Sequence, residues 1–161
     1  GKVIEISQIT PTEDIGLPEG NWTRVCVFMN VFDVHVNRSP MSGQISYKKY
    51  ISGSFFNASL NKASDKNERL ILNMETKNGH KIAIVQIAGL VARRIICDVD
   101  IGNSLKAGEI FGLIRFGSRV DIYFPKEVSV MVLKGQKMIA GETIIGDFSK
   151  NAKHVKEITD E

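Results

Sequence analysis

The chain has 161 residues, enough for one core of ordinary size and too few for two. With 43% hydrophobic and 24% charged residues it reads as an ordinary globular protein, not a disordered or fibrous one. A net charge of +3 is too weak to argue for nucleic acid but suits an anionic lipid surface.

Taken in chain order, the pattern is mostly strand. Residues 3–9 alternate. Residues 24–31 form a near-continuous apolar run that ends in a loop over 33–40, and 45–51 alternate weakly. The stretch 58–69 is polar enough for a short helix or an ordered loop. Runs 70–75 and 81–88 flank Lys77-Asn78-Gly79, an Asn-Gly turn that predicts a hairpin. Runs 95–99, 110–114, 119–124 and 129–133 continue the series, with glycines at nearly every junction. Short, regularly spaced strands predict a mainly β single domain, a β-sandwich of the barrel-sandwich-hybrid kind with one or two short helices. Its expected bounds are 1–148, with 149–161 as a polar tail.

One internal echo supports that architecture. Gly102, then four residues, then Ala107-Gly108-Glu109 matches Gly135, four residues, then Ala140-Gly141-Glu142. Each copy predicts a glycine turn, a short strand and a second glycine turn. Neither copy presents a lysine in a hairpin setting suited to biotin or lipoate, which argues against a carrier module. Cys26 and Cys97 sit in separate apolar runs and read as buried, reduced thiols. Cysteine and histidine show no zinc spacing, and no metal site is expected. The longest apolar stretch, 82–92, is interrupted by Gln86 and is too short to span a bilayer.

The segments that carry chemistry occur in a fixed order. They are the run 24–40 ending Asp33-Val34-His35-Val36-Asn37-Arg38-Ser39-Pro40; Phe55-Phe56-Asn57-Ala58-Ser59-Leu60; Lys62-Ala63-Ser64; and Asn67-Glu68-Arg69. After them come the run from Gln86 to Arg93-Arg94 and Phe116-Gly117-Ser118-Arg119-Val120-Asp121. Together they resemble the short bacterial type of phosphatidylserine decarboxylase and its archaetidylserine relatives, over nearly the whole chain.

The resemblance implies a self-cleaving proenzyme cut between Gly117 and Ser118. Residues 1–117 would form the β chain and the α chain would start at Ser118, whose remnant becomes a pyruvoyl cofactor. Phosphatidylserine would be bound through a Schiff base and leave as phosphatidylethanolamine and carbon dioxide. The residue types fit. Glycine leaves its carbonyl open to attack, serine supplies the hydroxyl, and a ketone is an electron sink like pyridoxal phosphate.

His35 lies in the signature loop, and its expected role is to deliver a proton to the substrate α-carbon. Asn37 and Asn57 are expected to orient the head group, and Arg38 to pair with its carboxylate or phosphate. The longer type of the family has a second histidine where Arg38 stands. The family also carries an Asp-Gly pair ahead of the first strand. Gly1 stands at its glycine, the aspartate is not in the sequence, and self-cleavage of this chain is expected to be impaired.

The resemblance further implies the cytoplasmic side of a bacterial cell membrane, with this chain itself soluble or peripheral. Lys48, Lys49 and Lys62 are candidates for docking on an anionic membrane surface, and a homodimer fits the exposed sheet edges. Two other readings stand beside the phosphatidylserine enzyme: an archaetidylserine decarboxylase, and a lipid-binding relative without turnover.

Overall fold

A computed structural model describes residues 1–60, 63–91 and 94–149. The architecture is mainly antiparallel β. In chain order the strands are β1 (Lys2–Ile9), β2 (Trp22–Met29), β3 (Val36–Arg38), β4 (Gly43–Ile51), β5 (Arg69–Glu75), β6 (Lys81–Ile87), β7 (Ile95–Cys97), β8 (Ser104–Leu105), β9 (Ile110–Ile114), β10 (Ser118–Pro125), β11 (Ser129–Val130) and β12 (Gly146–Asp147). One short helix, α1 (Ala63–Lys66), and a 3-10 turn at Glu13–Ile15 complete the set. The stretch expected to hold a short helix therefore does so, and the Asn-Gly turn joins β5 to β6 as predicted.

Seven strands form one sheet in the order β1-β2-β10-β6-β5-β4-β8. A three-stranded sheet, β3-β9-β7, covers one of its faces. Phe111 and Ile114 of β9 join Val25, Leu72, Ile84 and Ile122 of the large sheet in a single apolar cluster. The opposite face carries a second cluster of Trp22, Ile71, Val85, Ile87 and Tyr123, closed over by Ile15 and Leu17 of the β1–β2 connection. Strand β10 is therefore buried on both faces, as its burial along Ser118–Phe124 records.

The sequence echo is a structural repeat. Gly102, Gly108, Gly135 and Gly141 have φ of 90°, 80°, 89° and 81°, a region that L side chains rarely enter. Gly102 donates its N–H to Ile45 O and Gly135 donates to Val3 O, both at 2.8 Å. In return Ile45 donates to Asn103 O at 2.8 Å and Val3 to Gln136 O at 2.9 Å. Val3 and Ile45 also start equivalent register shifts, at Val3/Glu5 in β1 and Ile45/Tyr47 in β4. The sheet is thus built from two similar halves, β1-β2-β10 and β6-β5-β4, that meet at the β10–β6 ladder.

The register across that seam defines one end of the sheet. Ser118 pairs with Met29, Arg119 with Ile87, Ile87 with Arg69, and Arg69 with Ile51. The connections that follow β2 and β6, and those that precede β5 and β10, all leave the sheet along this row.

Candidate active site

The start of β10 is entered through a glycine turn. Gly117 has φ of +70°, and its N–H donates to Met29 O at 3.1 Å, so the chain turns sharply as it enters the sheet. Any L side chain would be disfavoured there, although the space around its Cβ position is open. The carbonyl of Gly117 is held from the other side. A Cβ placed on Gly89 would lie 1.8 Å from Gly117 O, so the backbone just after β6 approaches this carbonyl as only glycine permits. Ala58, at 3.4 Å from the same position, packs the 55–60 loop against the junction.

Ser118 is fully buried, and its Oγ has no hydrogen-bond partner among the described residues. Strand alternation puts it on the same face as Val120 and Ile122, and its cross-strand partner is Met29. Two further buried polar atoms near this end lack partners, His35 Nε2 and Gln86 Oε1. The His35 backbone carbonyl accepts from Ile114 N–H at 3.2 Å. Its ring meets Phe116 edge to face, with centroids 5.0 Å apart and planes at 88°. Gln86 pairs in register with Val120, on the Ser118 face. Each such orphan costs about 1–3 kcal/mol, so Ser118, His35 and Gln86 are a local burden on stability at this end of the sheet.

Asn37 is drawn into the interior. Its Oδ1 accepts from Gln86 Nε2 at 2.8 Å, and its Nδ2 lies 3.7 Å from Met29 Sδ. This fixes the Gln86 carboxamide, leaving Oε1 free. Arg38, the next residue of β3, points the other way. It is exposed, donates to Gly108 O at 2.8 Å and packs against Gly141 in the repeated turns. Asn57 is exposed, and its Oδ1 accepts from Ser59 N at 3.0 Å and Ser59 Oγ at 2.8 Å, an Asx turn. The structure therefore gathers Gly117, Ser118, His35 and Asn37 around one strand end. Asn57 reaches that end only through its loop, and Arg38 lies away from the junction, among the residues that line the neighbouring cavity. Lys48 is held by Asp100 and the Val99 carbonyl, Lys49 is exposed, and Lys62 lies outside the described residues.

Three features escaped the sequence reading. Gly89 looked like one more punctuating glycine. Asn67 stands in one of the quoted segments with no buried role assigned, yet it is fully buried and bonds both Phe56 N and O and Ala88 O, clamping the 55–60 loop to the strand end before Gly89. The third is a buried ion pair behind Ser118. Arg119 grips Asp121 through Nε–Oδ1 at 2.5 Å and Nη2–Oδ2 at 2.8 Å, and touches Cys26 Sγ at 2.9 Å. Burial pushes the Cys26 thiol up, and the Asp121 charge adds to this against the opposing Arg119 and Arg24. The signal for the pair was present as Arg and Asp two apart in a strand, but that pattern also describes a solvent face.

A cavity of about 360 Å³ runs along the Ser118 face of the sheet, between Met29, Val120, Ile122 and Ile84 below and Phe111 and Ile144 at its sides. Its lining is predominantly apolar, and it begins one pleat beyond Ser118.

Fold and site define a class: an antiparallel β chain whose central strand opens with a buried glycine–serine junction and unpartnered polar groups. The phosphatidylserine decarboxylase family model matches residues 1–146, so the chain belongs to the phosphatidylserine decarboxylase family. Proteins named phosphatidylserine decarboxylase proenzyme from Rickettsia bellii and Rickettsia akari are 53% identical to it over 150 residues, 93% of this chain and 65% of theirs. That of Rickettsia rickettsii is 52% identical over the same span. The chain thus covers 65% of the length of these curated relatives.

Proposed function

We propose that this chain carries the catalytic part of a pyruvoyl-dependent phosphatidylserine decarboxylase that splits itself between Gly117 and Ser118. One observation supports it above the others. The Ser118 hydroxyl is buried without a partner, next to a carbonyl pinned between a positive-φ turn and Gly89.

The steps follow from the residues. Ser118 Oγ attacks the Gly117 carbonyl carbon as its proton passes to a base. The amide C–N bond breaks, an ester C–O bond forms, and the freed amine takes up a proton. Loss of the Ser118 α-proton with cleavage of its Cβ–O bond then releases Gly117 as a carboxylate. Water replaces the nitrogen of the remaining enamine, ammonia leaves, and a ketone stands at the new terminus. The surroundings suit such a group: full burial, and an imidazole nitrogen at His35 Nε2 that could donate to the ketone oxygen.

When present, the ketone supplies an electron sink for the pair left behind as carbon dioxide departs from an amino-acid head group. His35 would hand a proton to the substrate α-carbon from Nε2. Gln86, held by Asn37, would accept from the head-group amine. The apolar cavity on the same face has the lining an acyl chain needs, consistent with a phospholipid substrate.

The test is the intact mass of the protein as the cell makes it, with borohydride reduction in the presence of phosphatidylserine. Two chains are expected, the second beginning at position 118 with a ketone that traps the lipid amine. A single unbroken polypeptide that traps nothing would sink the proposal.

A further inference from the structure

The charged pair behind Ser118 has no part in the steps described above, yet its contacts converge on the strand end where those steps occur. Arg119, Asp121 and Cys26 are fully buried. By strand alternation Arg119 and Asp121 point to the face of β10 that Ser118 does not share. The guanidinium reaches three parts of the chain. Nε and Nη2 donate to the two Asp121 carboxylate oxygens at 2.5 and 2.8 Å, Nη2 lies 2.9 Å from Cys26 Sγ of β2, and Nη1 meets Leu60 O at 3.5 Å.

The place of Ser118 depends on its neighbour. Ser118 is in register with Met29 of β2, but the ladder between β10 and β6 starts only at Arg119, opposite Ile87. On the β6 side, then, position 118 is set through residue 119. The contact with Leu60 extends this to the loop over 55–60. Asn67 fixes that loop at Phe56, and its Ala58 packs beside Gly89, the glycine that crowds the Gly117 carbonyl. Arg119 ties the last residue of the same loop to β10.

Stability alone is a poor reason for such a pair. Two buried ions lose their hydration, and apolar residues of similar volume often serve as well. What the pair supplies is direction. A planar fork meets a carboxylate in one orientation, which a flexible apolar stem does not.

We propose that Arg119 is a positioning residue for chain splitting. Locked by Asp121, it fixes the start of β10 against β2 and the 55–60 loop, and so holds the Ser118 hydroxyl at the Gly117 carbonyl. The inference rests on the splitting reaction proposed above, and adds to it a residue that acts from the opposite face of the strand.

The test reads stability and splitting in the same variants. Arg119→Met/Asp121→Leu removes both charges and keeps apolar bulk. In denaturant it should unfold close to the parent. A time course of intact mass on newly made protein should nevertheless show splitting slowed by about tenfold or more, as misplaced reacting groups do. Glu5→Gln is the converse. It weakens the neighbouring Arg24–Glu5 pair, held at 2.5 Å, and leaves Arg119, Asp121 and Leu60 unchanged. It should melt lower than the parent and split at the parent rate. Arg119→Lys keeps a cation beside Asp121 without the fork and should also split slowly, which answers the question if the double variant folds poorly. Hydrogen exchange in a Ser118→Ala background gives a readout free of the reaction. Peptides over 55–60 and 116–119 should exchange faster once the pair is replaced, and those over β5 should not.

Splitting of the folded double variant, or of Arg119→Lys, at the parent rate overturns the inference and leaves the splitting reaction standing. So does exchange at 55–60 and 116–119 that the replacement does not change. Equal slowing in Glu5→Gln also overturns it, since lost stability would then explain the effect. A parent that never splits removes both readings, and its own intact mass tells that case from the others.

Discussion

Gly89 and Gly117 approach each other so closely that a single methyl group on the first would fall 1.8 Å from the carbonyl oxygen of the second. In the proposed splitting reaction this contact fixes the carbonyl that Ser118 attacks. Gly89→Ala should push that oxygen aside and slow chain splitting by about 10²-fold, the usual effect of a misplacement near 1 Å. A time course of intact mass reads the rate, and circular dichroism checks that the sheet is retained. Splitting at the parent rate would show that the contact is packing alone.

Ser118→Ala separates function from stability. The hydroxyl is buried and unpartnered, so its removal should leave thermal stability unchanged or raise it by about 1 kcal/mol. The same variant should remain one chain and form no ketone. A marked drop in melting temperature would mean that the hydroxyl has a partner in solution.

The Arg119–Asp121 pair should behave as a buried ion pair on a strand that must hold its place. Arg119→Met alone leaves Asp121 without its main cation and should cost about 3–5 kcal/mol in denaturant unfolding. Joining it to Asp121→Leu should recover most of that loss, because no buried charge is then left over. If the double variant were as unstable as the single one, lost packing of the arginine stem would account for most of the destabilisation.

Acid should weaken the fold through Glu5 and Asp14. Burial pushes the Glu5 carboxyl up, but the hydrogen bond from Arg24 and the charges of Arg24 and Arg119 outweigh it and hold it below the ordinary range. Asp14 is likewise pushed up by burial and held low overall by Thr12 and Arg69. A depressed folded pKa means stability that is fully present above the unfolded values, 4.5 and 3.8, and is lost as pH falls through the folded ones. Melting temperature should therefore decline below about pH 4.5. Glu5→Gln should melt lower than the parent at neutral pH, with a shallower acid slope.

Much of the fold was legible because hydrophobic alternation and glycine turns are local signals. The hairpin at Asn78-Gly79, the strand at Ile110–Ile114 and the repeated glycine turns came through close to their observed positions. Short pieces did not. Within the expected loop over 33–40 lies β3, and β12 was missed, since two or three residues carry no period and are set by partners distant in sequence, whereas β8 is the short strand that the first glycine echo predicts. In the site, the Gly117-Ser118 motif announced itself through its neighbours. Gly89, Gln86 and Asn67 did not, because their roles depend on which loops the sheet register brings together. Arg119 and Asp121 stand two apart in a strand with nothing local to say which way they face, and the covering 55–60 loop and β1–β2 connection bury them.

Strand β10 lies between β2 and β6, and both of those neighbours come before position 117 in the chain. A break ahead of β10 would therefore leave its first residue paired with Met29 of β2 and its second, Arg119, laced into ladders on either side. The two pieces should stay together through any purification that preserves the sheet and come apart only on denaturation. Maturation of this kind changes the covalent formula while the architecture stands, and the newly made chain end is as immobile as the middle of an intact strand.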